Sequence, residues 1–175
     1  MKEIIECQSC DLSLIDYNIT TEQNPHFGKL LPKLCKECKY FIVGLNPSKI
    51  RYKGSGLTVY GDNNIKGSKI NEFTQVLKYL EIFDECYITN LVKCSTENNI
   101  VKEEDCRICF KTHLKRELQL VNPKIVIALG EQVFKFLSIR LEQEVVKIKH
   151  PSWYYSYGRG TMDNEILEIK TILKL

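Results

Sequence analysis

The amino-acid sequence predicts an α/β fold: a three-layer α/β/α sandwich around a central, mostly parallel four-stranded sheet. Strand-like and helix-like segments alternate along the chain, an order typical of parallel strands joined through helices. The strand-like segments are continuous apolar runs, as expected for strands covered on both faces. The chain has 175 residues, enough for one core, so we expect a single domain over residues 1–175.

Four segments have the strand pattern, at residues 39–45, 86–92, 124–130 and 144–149. Gly44 interrupts the first apolar run and Gly130 ends the third, which marks the exit of each strand into a loop.

Four further segments have apolar residues at helical spacing: residues 69–83, 103–121, 131–139 and 163–175. Asn122 and Pro123 are expected to stop the second helix. We expect Asp163 or Asn164 to cap the last helix, because their side-chain oxygens accept hydrogen bonds from the first backbone N–H groups.

Polar side chains follow the ends of three of these strands. They are Asn46 and Ser48 with Pro47 after the first strand, Asn90 in the second, and His150 and Ser152 after the last. Ligands of parallel sheets bind beyond the carboxyl ends of the strands, so these residues are candidates for a site. Asn, Pro and Ser are also common in turns, and a lone histidine is more often structural. Their occurrence together favours the functional interpretation.

Composition narrows the class of protein. The net charge is only +3, from 25 basic and 22 acidic residues, which permits a local basic face but does not demonstrate a polyanionic partner. No apolar run reaches the ~18 residues of a membrane span, and the N-terminus lacks a signal-peptide pattern. The phosphate-binding glycine motifs of nucleotide enzymes are absent. We expect a cytoplasmic protein, a monomer, with no membrane partner.

Eight cysteines are many for a cytoplasmic chain, and six of them form C-x2-C pairs: Cys7 with Cys10, Cys35 with Cys38, and Cys106 with Cys109. A reducing compartment favours metal ligation over disulfides, and this spacing lets two thiolates reach one metal. Some of the cysteines could instead be small buried residues that only fill the core. We expect this structural role for Cys86, at the start of a strand.

The motifs "YITNLVKC" (87–94), "LKRELQLVNPKIVIALG" (114–130) and "HPS" (150–152) resemble the iron-sulfur branch, family 4, of the uracil-DNA glycosylase superfamily. The resemblance extends from about Lys39 to Tyr157. The first loop differs: "GLNPS" (44–48) is closer to the G-(I/L/M)-N-P-G loop of the mismatch-specific branch, and "NEFTQVL" (71–77) resembles that branch's N-x-F-W stretch.

The resemblance implies a monofunctional DNA glycosylase that removes uracil or a related modified base from DNA. His150 is expected to donate a hydrogen bond to the base as negative charge develops on it. Asn46 is expected to hold the attacking water, although an amide is a weaker base than a carboxylate and predicts slower chemistry. Asn90 would read the base edge. Gly44, Leu45 and, as a stacking ring, Tyr60 complete the predicted base-binding set.

Contacts to the DNA strand are expected from the first and last loops. Wedging into the duplex is assigned to an aromatic residue of the 153–155 stretch, Trp153 or Tyr154 in particular. The alternative is an aromatic cluster that covers the sheet edge. Phosphate and backbone contacts are assigned to Pro47, Ser48, Ser152 and Arg159.

The resemblance also implies a [4Fe-4S] cluster held by Cys7, Cys10, Cys94 and Cys109. It would fasten the cysteine-rich segment of about residues 1–38 to the rest of the domain. Cys106 is an alternative to Cys109, and Cys35 with Cys38 could replace the first pair or build a separate zinc site. An alternative function is a catalytically weak, metal-containing protein of the same fold that binds DNA or recognises lesions.

Overall fold

The computed structural model describes residues 7, 9, 30–47, 58–59, 69–94, 96, 100–155 and 160–175. Its strands are β1 (Leu30–Leu31), β2 (Tyr40–Gly44), β3 (Thr58–Val59), β4 (Cys86–Asn90), β5 (Ile125–Leu129) and β6 (Val145–Ile148). The central sheet has the order β4-β2-β5-β6 with every pairing parallel, and β1 pairs with β3 in a small parallel sheet. The predicted four-stranded parallel sheet is confirmed.

The helices are α1 (Lys69–Tyr79), α2 (Glu103–Cys109), α3 (Lys115–Val121), α4 (Glu131–Ser138), α5 (Pro151–Tyr155) and α6 (Met162–Leu173). A π-helical turn, Phe110–Leu114, joins α2 to α3, and a 3-10 turn, Phe83–Glu85, precedes β4. None of the helices in the described part of the chain is long and apolar enough to cross a membrane.

Two apolar layers cover the sheet because its strands alternate their side chains between the faces. On one face, Ile42 and Ile88 of the sheet pack with Phe73 of α1 and Ile169 of α6. The other face carries a separate cluster whose members from the sheet are Phe41, Val43, Tyr87, Val126, Ala128 and Val145. Residues of α2, α3 and α4 complete that second cluster, which gives the three predicted layers.

Helix boundaries differ from the sequence prediction in three places. The first helix ends at Tyr79 rather than at residue 83, since Glu81 adopts a left-handed conformation with φ 60°. The last helix is capped by Thr161 rather than by Asp163 or Asn164: the Thr161 hydroxyl accepts from the Asn164 N–H while the Asn164 side chain accepts from the Thr161 N–H. The short helix α5 replaces an expected loop.

Candidate functional site at the carboxyl edge of the sheet

The loops that leave β2 and β4 are joined directly to each other. The Leu91 N–H donates to the Gly44 carbonyl at 2.8 Å, and the Val92 N–H donates to the Leu45 carbonyl at 2.8 Å. Backbone hydrogen bonds therefore continue past the strand ends, and Gly44 stands opposite Asn90 in the register of the two strands. This pairing brings the loop of Asn46 next to the end of β4.

The side-chain amide of Asn46 is held by its nitrogen. Nδ2 donates to the Pro47 carbonyl at 3.1 Å and to the Thr96 hydroxyl oxygen at 3.2 Å. Because a carbonyl oxygen can only accept, the contact with Pro47 fixes which end of the amide is nitrogen. The amide oxygen consequently faces away from these two partners. Pro47 is buried and Asn46 is half-buried, so the loop is anchored while its asparagine stays accessible.

The end of β4 is held by a buried lysine that the sequence analysis did not single out. The Lys93 ammonium donates to the Asn90 carbonyl at 2.8 Å and to the Thr89 hydroxyl at 2.7 Å, and it lies 2.7 Å from a Glu117 carboxylate oxygen. Lys93 and Asn90 are each 1% exposed. Burial lowers the pKa of Lys93, and the Glu117 carboxylate acts in the opposite direction. A lysine directly after the strand-like segment "CYITNLV" was the feature of the sequence that could have indicated this role.

Glu117 extends this polar network to the sheet. Burial raises the pKa of the Tyr87 hydroxyl, and the hydrogen bond and negative charge of Glu117 raise it further. Tyr87 lies in β4, three residues before Asn90, and its ring stacks on Phe41 of β2 with the centroids 4.9 Å apart. The Glu117 carboxylate of α3 thus contacts Tyr87 within β4 and Lys93 just after it.

His150 occupies the exit of β6 in a defined tautomer. The Ser152 backbone N–H donates to Nδ1 at 3.2 Å, and the Ser152 hydroxyl lies 2.8 Å from the same nitrogen. A backbone N–H can only donate, so Nδ1 is the acceptor and the imidazole proton resides on Nε2. Ser152, predicted to contact DNA, directs its hydroxyl and its backbone N–H at His150.

Burial lowers the pKa of the His150 imidazole even though the residue as a whole reaches the surface. The exit of β5 lies close by: a Cβ atom placed on Gly130 would lie 3.5 Å from the His150 Cβ. The hydrogen bond accepted by Nδ1 also favours the neutral ring, because a protonated nitrogen could not accept it. Both effects favour neutral His150 near neutral pH.

The aromatic residues after His150 have different environments. Trp153 is half-buried, with the Lys149 ammonium 4.4 Å from its ring centroid. Tyr154 is 1% exposed and its hydroxyl donates to Glu168 of α6. The Tyr154 ring is therefore packed inside, an environment that favours the aromatic-cluster alternative over a contact with DNA.

Three of the four predicted metal ligands lie within the described residues. Cys94 and Cys109 are buried and Cys7 is half-buried. Within the described ranges, no three Cys, His, Asp or Glu side chains lie close enough to hold a metal ion. The donor type suits an iron-sulfur cluster, but the described cysteines alone do not complete a site. The implied fourth ligand, Cys10, lies outside the described residues.

The remaining cysteines have other roles here. Cys35 and Cys38 form a disulfide with Cα atoms 5.4 Å apart, contrary to the alternatives in which this pair replaces Cys7 and Cys10 or builds a zinc site. Sulfurs bonded to each other offer no thiolate. The Cys86 thiol donates to the Ile82 carbonyl at 3.1 Å, and burial raises its pKa to about 12, in agreement with a structural role. Burial also raises the pKa of Cys106, to about 11.

Three other predicted site residues, Tyr60, Ser48 and Arg159, also lie outside the described residues. Gly44 and Leu45 lie at the β2 exit as expected, with Gly44 buried and Leu45 half-buried. The described part of the site therefore consists of the exits of β2, β4 and β6.

The protein is therefore an α/β protein whose candidate site residues lie at the carboxyl ends of parallel strands. Ligands of such sheets bind at that edge. Residues 31–174 match the model of the uracil DNA glycosylase superfamily. The chain therefore belongs to that superfamily, and the predicted family and fold are confirmed.

Two similar proteins are known by function. A type-4 uracil-DNA glycosylase of Sulfurisphaera tokodaii is 25% identical over 159 residues, covering 89% of this chain and 66% of that protein. Another, from Saccharolobus solfataricus, is 35% identical over 63 residues, covering 34% of this chain and 29% of that protein. The chain thus spans slightly less than two thirds of the first relative.

Proposed function

We propose that this protein is a monofunctional DNA glycosylase that hydrolyses the N-glycosidic bond of uracil or a related modified base in DNA. The observation that carries this proposal is the tautomer of His150, whose Nδ1 accepts the Ser152 N–H and whose Nε2 therefore carries a proton. A donor at the edge of the sheet is what the departing base requires. Membership of the superfamily and the similarity to type-4 uracil-DNA glycosylases support the same activity.

His150 acts on the leaving base. Cleavage of the N-glycosidic bond leaves negative charge on the base oxygens and positive charge on the sugar. A neutral imidazole that donates a hydrogen bond through Nε2 stabilises the developing anion while it keeps its own proton. The lowered pKa of His150 keeps the ring in this neutral form at physiological pH.

Asn46 orients the attacking water. Its nitrogen is engaged by Pro47 and Thr96, which leaves the amide oxygen as the group that accepts a hydrogen bond from water. An amide oxygen orients water but removes a proton poorly, so the reaction relies mainly on stabilisation of the leaving base. We expect slower chemistry than an acidic residue at position 46 would give.

Asn90 reads the base, and the loop after β6 contacts the DNA. The Asn90 side chain belongs to the strand end next to Asn46, where an amide can pair with the O4 and N3–H edge of uracil. Lys149 and Trp153 present a cation and a half-buried ring beside His150, suited to a phosphate and an unstacked base step respectively. The partner is DNA that contains uracil or a modified base.

A [4Fe-4S] cluster is proposed as a structural element held by Cys7, Cys10, Cys94 and Cys109. The type-4 relatives and the thiol donor set support it, and zinc is the competing metal. Its part is to join the N-terminal segment to the rest of a single domain. An iron, sulfide and zinc assay on anaerobically purified protein tests it, and loss of iron in Cys94→Ser with iron retained in Cys86→Ser is the expected result.

The activity is tested with duplex oligonucleotides that carry uracil, hypoxanthine or xanthine, read by alkaline cleavage at the resulting abasic site. We expect strand cleavage with the wild-type protein on at least one base. Asn46→Ala and His150→Ala should lose it while retaining DNA affinity. Absence of cleavage of every base, with binding unaffected by either substitution, would contradict the proposal and favour a DNA-binding protein.

A further inference from the structure

The loop that carries His150 is short, and a side chain of helix α6 binds the residues on both sides of it. β6 ends at Ile148 and α5 begins at Pro151, so only two residues lie between them. Such a loop can place a side chain accurately only if its own backbone is fixed.

A single carboxylate, that of Glu168 on α6, contacts both sides of this loop. One oxygen accepts the Lys149 backbone N–H at 3.0 Å, immediately before His150. The other oxygen accepts the Tyr154 hydroxyl, four residues after His150. The Lys149 ammonium lies 3.3 Å from that second oxygen. We call Glu168, Tyr154 and the Lys149 backbone the loop clamp.

The surroundings of the clamp favour a fixed geometry. Tyr154 is buried, and Gly160 packs against its ring so closely that a Cβ on the glycine would lie 2.7 Å from Cδ1. The Glu168 side chain is 19% exposed, which limits competition by water for its oxygens. Hydrogen bonds to a carboxylate are also stronger than those between neutral groups.

We propose that Glu168 is a positioning residue that sets the location of His150 through the backbone of Lys149 and the hydroxyl of Tyr154. This inference rests on the proposed catalytic role of His150. Its contacts are with Lys149 and Tyr154, so Glu168 acts on the segment before and after the histidine. A misplacement of about 1 Å can lower turnover by ~100-fold, so loss of the clamp should affect turnover more than DNA binding.

Three substitutions separate the hydrogen bonds of the clamp from its bulk. Tyr154→Phe removes one hydroxyl and leaves the ring in place. Glu168→Ala removes both acceptors. Glu168→Gln keeps an oxygen for the Lys149 N–H and offers an N–H to the Tyr154 oxygen, which can accept as well as donate. We expect kcat to fall ~10-fold or more in the first two variants, with KM within ~3-fold, and most of the activity to remain in Glu168→Gln.

Leu173→Ala is the matched control, because it weakens the same helix by truncating a buried side chain away from the clamp. It should lower the Tm without changing kcat at a temperature well below the Tm. If Leu173→Ala lowers kcat as much as Glu168→Ala, the effect is one of general stability and the inference is overturned.

A second readout does not depend on activity. The chain has three histidines, so the ring nitrogens of His150 can be assigned by 15N NMR with His150→Gln as reference. Wild-type protein should give the signals of a ring protonated on Nε2, and Tyr154→Phe and Glu168→Ala should give mixed tautomers. Unchanged His150 signals in both variants would overturn the inference. Inactive wild-type protein with altered signals would instead contradict the proposed function and leave the clamp supported.

Discussion

The exits of β4 and β6 carry the two ends of the proposed site and are stabilised in different ways. At β4, the buried Lys93 ammonium donates hydrogen bonds to the Asn90 carbonyl and the Thr89 hydroxyl, and Glu117 is its ion-pair partner. At β6, His150 reaches the surface and its loop is held by Glu168 of α6. The base-reading end therefore depends on a buried charge pair, whereas the catalytic end depends on a carboxylate that binds the backbone and a buried tyrosine on either side of the histidine.

The largest expected effect comes from breaking the buried pair. Lys93→Met should destabilise the protein by about 3–5 kcal/mol, because it leaves the Glu117 carboxylate buried without a counter-charge. Denaturant unfolding measures this. The matched control, Lys135→Met, breaks an exposed pair with Glu131 and should cost less than about 1 kcal/mol.

The double variant Lys93→Met/Glu117→Met sharpens the comparison. Removing both charges should restore most of the stability, since no ion then remains buried. Base excision should stay impaired, because the Asn90 carbonyl and the Thr89 hydroxyl have lost their common donor. Full activity in this double variant would show that the buried pair serves stability alone.

Gly160→Ala tests the β6 side by crowding the clamp. The added methyl group would lie 2.7 Å from the buried Tyr154 ring, so the ring must move. We expect a loss of about 1–3 kcal/mol of stability together with reduced turnover. Chemical unfolding and steady-state kinetics measure the two effects. Unchanged turnover despite the lost stability would separate Tyr154 from the function of His150.

Thr96→Val should have a smaller effect, at the loop of Asn46. Valine matches the shape of threonine but removes the hydroxyl that receives the Asn46 amide. We expect about 1 kcal/mol of transition-state stabilisation to be lost, or roughly 5-fold in kcat/KM, with little change in Tm. A decrease as large as that of Asn46→Ala would mean that Thr96 participates in the chemistry itself.

The smallest effect concerns pH. Burial lowers the pKa of His150 from its usual value near 6.5, so activity should be constant above that pH and fall only below it. Folding stability follows the same sign: the contribution of neutral His150 is present above about pH 6.5 and is lost as the pH falls through the lowered pKa. Lys149 and Glu168 are the charged groups next to this loop. A pH profile of kcat/KM with its acidic limb above 6.5 would contradict this assignment.

The layers and the edge of the sheet were predictable from the sequence because they follow from local patterns. Continuous apolar runs predicted the buried strands, and the residues just beyond them, Asn46 and His150, follow directly from the parallel arrangement. Thr161 was not predicted as a cap because Asp163 and Asn164 are equally suitable by residue type. Hydrogen-bond geometry alone distinguishes them.

The groups that hold the site were not predictable, since their partners meet only through tertiary packing. Lys93 and Glu117 are 24 residues apart, and Tyr154 and Glu168 are 14 apart on different helices. The sequence gives no sign of which of three consecutive aromatics faces α6. Tyr154 was therefore assigned to a DNA contact at the surface, although it is buried.

The central claim is that His150 promotes departure of the base by donating a hydrogen bond through Nε2. The most direct test is the single-turnover rate of uracil release from a duplex with a G·U pair, measured for the wild-type protein and His150→Ala at saturating protein concentration. We predict a decrease of about 10²–10³-fold in rate with the Kd for DNA within ~3-fold of the wild type. Equal rates for the two proteins would contradict the claim.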